Sequence, residues 1–137
     1  MLLADDLTQV SWRCLHFTTS GEEVTLRAKL EGVGLSVFEI HGTALHTEEQ
    51  LLIAIAKEMK FPEYFGLNWD ALDECLCDMA SWLPSKGYVL FFHDAEEFWQ
   101  RSSRIAGMFV ESWLYAAEEW GRENAPFHLV FLWEDAR

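Results

Sequence analysis

Five consecutive apolar residues, Tyr88-Val89-Leu90-Phe91-Phe92, constrain this chain more than any other feature in it. A strand with apolar side chains on both of its faces must be covered on both faces, the condition of a strand inside a parallel sheet flanked by helices. The segments on either side supply such a sheet. Upstream, Val37-Phe38-Glu39-Ile40 reads as a short strand ended by His41-Gly42. Thr47-Glu48-Glu49-Gln50 has capping-box spacing, and Leu51, Leu52, Ile55, Ala56 and Met59 follow at helical period. That helix is expected to end near Phe61-Pro62, because the residue before a proline is pushed out of the α region. Asn68 is placed to cap a second helix running toward Trp82. Downstream, Asp94-Ala95-Glu96-Glu97 resembles a cap and a helix start. A longer helix follows from Ile105 to Trp120, with a break near Ser102-Ser103, and His128 to Trp133 is a last apolar strand.

The order β-α-α-β-α-α-β predicts an α/β fold over residues 35–137: a three-stranded parallel sheet with about four helices. Residues 1–34 read differently and are expected to form an N-terminal extension. Val24, Leu26, Ala28 and Leu30 alternate with Thr25, Arg27, Lys29 and Glu31, a period of two that predicts a strand. With Ser11 to Thr18 as its partner across Ser20-Gly21, a β-hairpin is expected, broken from the rest by Gly32-Val33-Gly34.

Charge narrows the function. Ten Lys and Arg against 23 Asp and Glu give a formal net charge of −13. Nucleic acids and anionic membrane surfaces are bound through Lys and Arg, so neither is an expected partner. A basic protein is. The 137 residues are half AVILMFWYC, enough for one well-filled core, and no apolar run approaches the length of a membrane span. Met1-Leu2-Leu3-Ala4-Asp5-Asp6 lacks the basic start of a signal peptide, and Cys14, Cys75 and Cys77 have neither zinc-ligand nor C-x-x-C spacing. Reduced thiols in a cytoplasmic protein are expected.

The acids are not spread evenly. Between Phe61 and Ser85 there are five of them and no Lys or Arg. On a helical wheel of about 100° per residue, Asp73, Glu74, Cys77 and Asp78 fall within roughly 80° of Asp70. Leu72, Cys75, Leu76 and Met79 occupy the opposite side. Such a stripe is a solvated surface or a docking face for a basic site; like charges one turn apart repel, and a surface serving solubility alone would mix in lysines.

The run Phe61-Pro62-Glu63-Tyr64-Phe65-Gly66-Leu67-Asn68-Trp69-Asp70-Ala71-Leu72, followed by Cys75-Leu76, resembles the loop and helix of the barstar family of intracellular ribonuclease inhibitors. The order and spacing of the elements around it, over residues 35 to 133, are similar too. The resemblance implies a protein that masks the active site of a basic, extracellular-type ribonuclease or a related nuclease. Its carboxylates would take the positions that the enzyme's Arg, Lys and His offer to phosphates. Carried over by position, the family's loop aromatic falls on Tyr64, its glycine on Gly66, its asparagine on Asn68 and its first helix aspartate on Asp70. Trp69 lies within the same run. The family's tryptophan position holds Asp73, its second aspartate position Glu74, its threonine position Cys77 and a further tryptophan position Met79. These departures lie in the implied interface and bear on which partner is bound. Since the matched run begins after residue 34, the extension is expected to be dispensable for inhibition.

No catalytic residue, metal ligand or cofactor is expected. His16, His41, His46, His93 and His128 are scattered, with no ligand spacing. His93-Asp94 has the order of a base and its orienter, but a capped helix start explains Asp94 equally well. The aromatics Phe98, Trp99, Phe109, Trp113, Tyr115 and Trp120 are expected in the core. Two other functions remain open at this point: an immunity or antitoxin protein on the same scaffold with a different nuclease or basic toxin as target, and a small metal- or cation-binding enzyme using the acidic helix.

Overall fold

A computed structural model describes residues 2–134. Its centre is a parallel sheet of four strands, not three: β1 (Leu15–Thr19), β2 (Ser36–His41), β3 (Tyr88–His93) and β4 (Phe127–Trp133), in the order β1-β4-β3-β2. Six helices surround it, against the four expected: α1 (Ala4–Leu7), α2 (Glu23–Gly32), α3 (Glu48–Glu58), α4 (Trp69–Cys77), α5 (Ala95–Arg101) and α6 (Ser103–Arg122).

The surplus comes from the first 34 residues, where no hairpin forms. Leu15–Thr19 joins the sheet in parallel beside β4, and residues 23–32 are helical. Val24, Leu26, Ala28 and Leu30 alternate, but Leu26 and Leu30 are also four apart, and that spacing is the one the tertiary structure uses. Glu23, Leu26 and Leu30 are buried on one side of α2, while Val24 is 75% exposed. Gly34, at φ +92°, closes the helix, with the Leu35 amide donating to the Leu30 carbonyl at 3.1 Å.

The two central strands are buried on both faces. Tyr88, Leu90 and Phe92 of β3 and Phe127, Leu129 and Phe131 of β4 pack into the larger core with Leu51, Ile55, Leu72, Leu76, Phe109 and Trp113. The alternate residues Val89, Phe91, Val130 and Leu132 turn to the other face and meet Leu7, Leu26, Leu30 and Leu35. The N-terminal segment is therefore the cover of one sheet face.

Local signals behave largely as expected. Thr47 Oγ1 accepts from the Gln50 amide at 3.1 Å, and Gln50 Oε1 accepts from the Thr47 amide at 3.2 Å, a closed capping box. α3 stops before Pro62 exerts its effect: Lys60 takes a left-handed conformation, and the Phe61 amide returns to the Ala56 carbonyl at 2.9 Å. α4 ends at Cys77, and a single 3-10 turn over Met79–Ser81 leads on toward Trp82. α5 and α6 break at Ser102 as the sequence suggests. Asp94 precedes α5 but makes no side-chain cap; at φ 57° its backbone is left-handed and its carboxylate faces His41.

A pair of histidines ties β1 to β4. His128 Nε2 lies 2.8 Å from the Gln9 carbonyl, so it carries the proton, and Nδ1 accepts from His16 Nε2 at 2.9 Å. Both rings are neutral in this arrangement. Burial, then the neighbouring His128, lowers the His16 pKa to about 4, and burial lowers that of His128.

Two predictions follow from this packing. A chain starting at Gly34 leaves Val89, Phe91, Val130 and Leu132 without cover. Four such side chains at roughly 1.5–3 kcal/mol each reach the whole stability of a typical domain, about 5–15 kcal/mol. The truncated chain should lose its cooperative urea transition, and Leu30→Ala in the full chain should cost about 2–5 kcal/mol. The second concerns pH. The unfolded chain takes up a proton at His16 near its ordinary value of 6.5, while the folded chain resists until about 4, so the unfolded state binds more protons in between. The melting temperature should therefore fall on acidification through that window, and less steeply in His16→Gln.

Candidate docking site

The segment between α3 and α4 is held by its own aromatics. Phe61 packs edge-on against Phe65, ring centroids 5.1 Å apart, and against Trp82 at 5.8 Å. The Phe65 amide donates to the Pro62 carbonyl at 3.0 Å, closing a turn that presents Glu63 and Tyr64 to solvent; Tyr64 is 74% exposed. Asn68 then serves two purposes. Its Oδ1 accepts from the Ala71 amide at 2.8 Å, capping α4, and its Nδ2 donates to the Gly66 carbonyl at 3.2 Å, fixing the loop against the helix. Leu67 between them is left-handed at φ 50°, an uncommon conformation for a residue with a Cβ. A Cβ on Gly66 would come within 3.1 Å of Asn68 Nδ2, so the glycine leaves the amide room.

α4 is anchored by Leu72, Cys75 and Leu76, all buried, and by Trp120 of α6, whose Nε1 donates to the Leu76 carbonyl at 2.8 Å. The opposite side of the helix lines a groove of about 600 Å³ formed by Asp70, Asp73, Glu74, Cys77, Asp78 and Tyr115. The wheel thus placed the four acids and Cys77 together correctly. Among the described residues none of those four carboxylates forms an ion pair, whereas Arg27, Arg101, Arg104 and Arg122 are each paired with acids elsewhere. Asp70 sits in the first helical turn, where the helix dipole favours a negative charge. Asp73 is half-buried, and its Oδ1 is buried with no hydrogen-bond partner in the chain. Such a group destabilises the free protein until a donor arrives.

Trp69 behaves differently from its neighbours. Its ring packs against the core, and its Nε1 donates to Glu48 Oε1 at 3.3 Å, linking α4 to the start of α3. Cys77 is half-buried; burial first, then the carboxylates of Glu119, Asp73 and Asp78, push its thiol up to about 11. At neutral pH it is a thiol, not a thiolate nucleophile. Cys75 is a core residue.

Tyr115 was misplaced by the sequence. Expected in the core, it is 54% exposed and forms a wall of the acidic groove. The correcting signal lies in α6 itself: Ala106, Phe109, Trp113, Ala116 and Trp120 are buried at spacings of three and four. Tyr115 lies about 100° from Ala116 on that wheel. Phe98, Phe109, Trp113 and Trp120 are buried as expected, and Trp99 is half-buried.

The groove carries no histidine, and among the described residues the donors close enough together to hold a metal ion are elsewhere: Glu39, His41 and His93. Asp94 does not orient His93; its Oδ2 lies 3.8 Å from His41 Nδ1. Among the described residues no helix is long and apolar enough to cross a membrane.

No curated protein matches this chain. The family model described as Barstar (barnase inhibitor) matches residues 35–132, which run from β2 to the penultimate residue of β4 and include the whole loop and α4. With a helix-borne acidic groove built on the same elements that this match spans, the chain belongs to the barstar family.

Proposed function

We propose that the protein is a stoichiometric inhibitor that seats the α4 groove and the Phe61–Gly66 loop in the active-site cleft of a basic ribonuclease, acting in the cytoplasm of the cell that makes the enzyme. The observation that carries this reading is the set of carboxylates Asp70, Asp73 and Glu74, rigidly held on one helix face and, among the described residues, paired with no cation. A ribonuclease cleft lined by Arg, Lys and His supplies the missing charge, and bidentate Arg–carboxylate contacts supply geometry. Tyr115 on the groove wall and Tyr64 on the loop before α4 are both exposed and are large amphipathic side chains of the kind favoured at interfaces. Asp73, Glu74 and Cys77 stand where the family resemblance implies other residues. They favour as second reading an immunity protein on this scaffold whose target is another nuclease.

Binding and inhibition of a purified basic ribonuclease at a one-to-one ratio tests the proposal directly. Asp70→Ala and Glu74→Ala should each weaken the complex by roughly 2–5 kcal/mol, a range that comes from interfaces of this kind, barnase with barstar included. Asp73→Ala should weaken it less and raise the melting temperature of the free chain, because it removes an unsatisfied buried acceptor. Near-native affinity in both Asp70→Ala and Glu74→Ala would sink the active-site-plug mechanism.

Association should also be steered by charge. Stopped-flow rate constants measured from about 50 to 500 mM salt should fall steeply as the screening length shrinks. A flat series would count against electrostatic docking.

A further inference from the structure

Parallel pairing of β2 with β3 places His41 directly across from His93 at the ends of the two strands. Glu39 lies two residues before His41 and therefore on the same sheet face. The two imidazoles stack, with ring centroids 4.5 Å apart and 16° between their planes. His93 Nε2 is 3.4 Å from Glu39 Oε2 and 3.9 Å from Glu23 Oε1; His41 Nε2 is 4.0 Å from Glu39 Oε1. One donor atom from each of Glu39, His41 and His93 lies within 4.8 Å of the others.

Three further features distinguish this cluster from a chance meeting of surface side chains. His93 Nε2 is buried and makes no well-formed hydrogen bond; its neighbours are the carboxylates of Glu39 at 3.4 Å and Glu23 at 3.9 Å. Asp94 Oδ2 lies 3.8 Å from His41 Nδ1, a contact that has to shorten to a hydrogen bond for Asp94 to orient the ring, and Nε2 of that ring is 4.0 Å from Glu39 Oε1. Glu23 is buried at the start of α2 and adds a second carboxylate beside His93.

We propose that Glu39, His41 and His93 bind a divalent transition-metal ion of the zinc type, with Glu23 alongside and Asp94 orienting His41. Two imidazoles and a carboxylate are the donor set that such ions take, and the positions left open suit water or a fourth ligand. Ligands at about 2.0–2.2 Å around one ion lie roughly 3.3–3.5 Å apart, so donors now up to 4.8 Å apart have to close by up to about 1.5 Å, and the stacked imidazoles have to turn so that their in-plane lone pairs converge. Arg27 is the competitor: its Nη1 holds Glu39 Oε2 at 2.9 Å and reaches Glu23 Oε1 at 3.6 Å. An ion entering the site has to displace that guanidinium from Glu39.

The site is separate from the α4 groove, and its test does not depend on inhibition. Zinc is titrated into the untagged full chain by calorimetry at neutral pH, with a parallel melting series and a magnesium control. One equivalent of zinc should bind and raise the melting temperature, while magnesium does neither. His41→Ala and His93→Ala should each weaken zinc binding by at least about tenfold. His46→Ala, an exposed histidine outside the cluster, should leave it unchanged. Arg27→Gln should tighten it, because the competing cation is gone. Absence of one-to-one zinc binding in the native chain, equal affinity in folded His41→Ala and His93→Ala, or unchanged affinity in Arg27→Gln would each overturn the assignment.

Discussion

Burial of β3 and β4 on both faces is the constraint on which the rest of the molecule depends. Tyr88, Leu90 and Phe92 face one layer, Val89 and Phe91 the other, and β4 repeats the arrangement with Leu129 and Phe131 against Val130 and Leu132. Strands of this kind are stable only between two helical layers. α3 to α6 form one layer. The other is thin and comes from residues that precede the matched family region: Leu7 of α1, and Leu26 and Leu30 of α2. β1, hydrogen-bonded to β4, and the neutral pair His16–His128 fasten that layer's connection to the sheet.

The acidic helix α4 inherits its rigidity from this core. Leu72, Cys75 and Leu76 are sunk in the larger cluster, Trp120 holds the Leu76 carbonyl, Asn68 caps the first turn, and Trp69 reaches Glu48. The loop before it is pinned by Phe61 and Phe65. What remains exposed is negative and unpaired. A chain selected for stability alone would distribute cations among Asp70, Asp73, Glu74 and Asp78; instead Arg27, Arg101, Arg104 and Arg122 neutralise acids on α2, α3, α5 and α6. Like-charge repulsion on α4 and the unsatisfied Asp73 Oδ1 weaken the free protein at the place where a cationic partner would relieve both.

Much of the fold and the core of the site were legible in the sequence because they depend on short-range regularities. The capping box at Thr47–Gln50, the Asn68 cap and the 3.6-residue stripe of α4 are local facts, and the two-sided strand at Tyr88–Phe92 announces itself by composition. The resemblance of the Phe61–Leu72 run to the barstar family adds the identity of the scaffold. The first 34 residues were misread for a physical reason. Val24, Leu26, Ala28 and Leu30 satisfy a period of two, and Leu26 and Leu30 alone satisfy a helical one; only the apolar face of β3 and β4 waiting opposite decides between them.

The sequence by itself determined the parallel α/β core, the caps that start α3 and α4, and the gathering of acids on one helix face, since each arises from residues within a few positions of one another. Tertiary structure alone decided that β1 and α2 complete the sheet, that Tyr115 walls the groove from a helix forty residues away, and that His41 and His93 meet. Those pairings are set by strand register and layer packing over separations that no local period encodes.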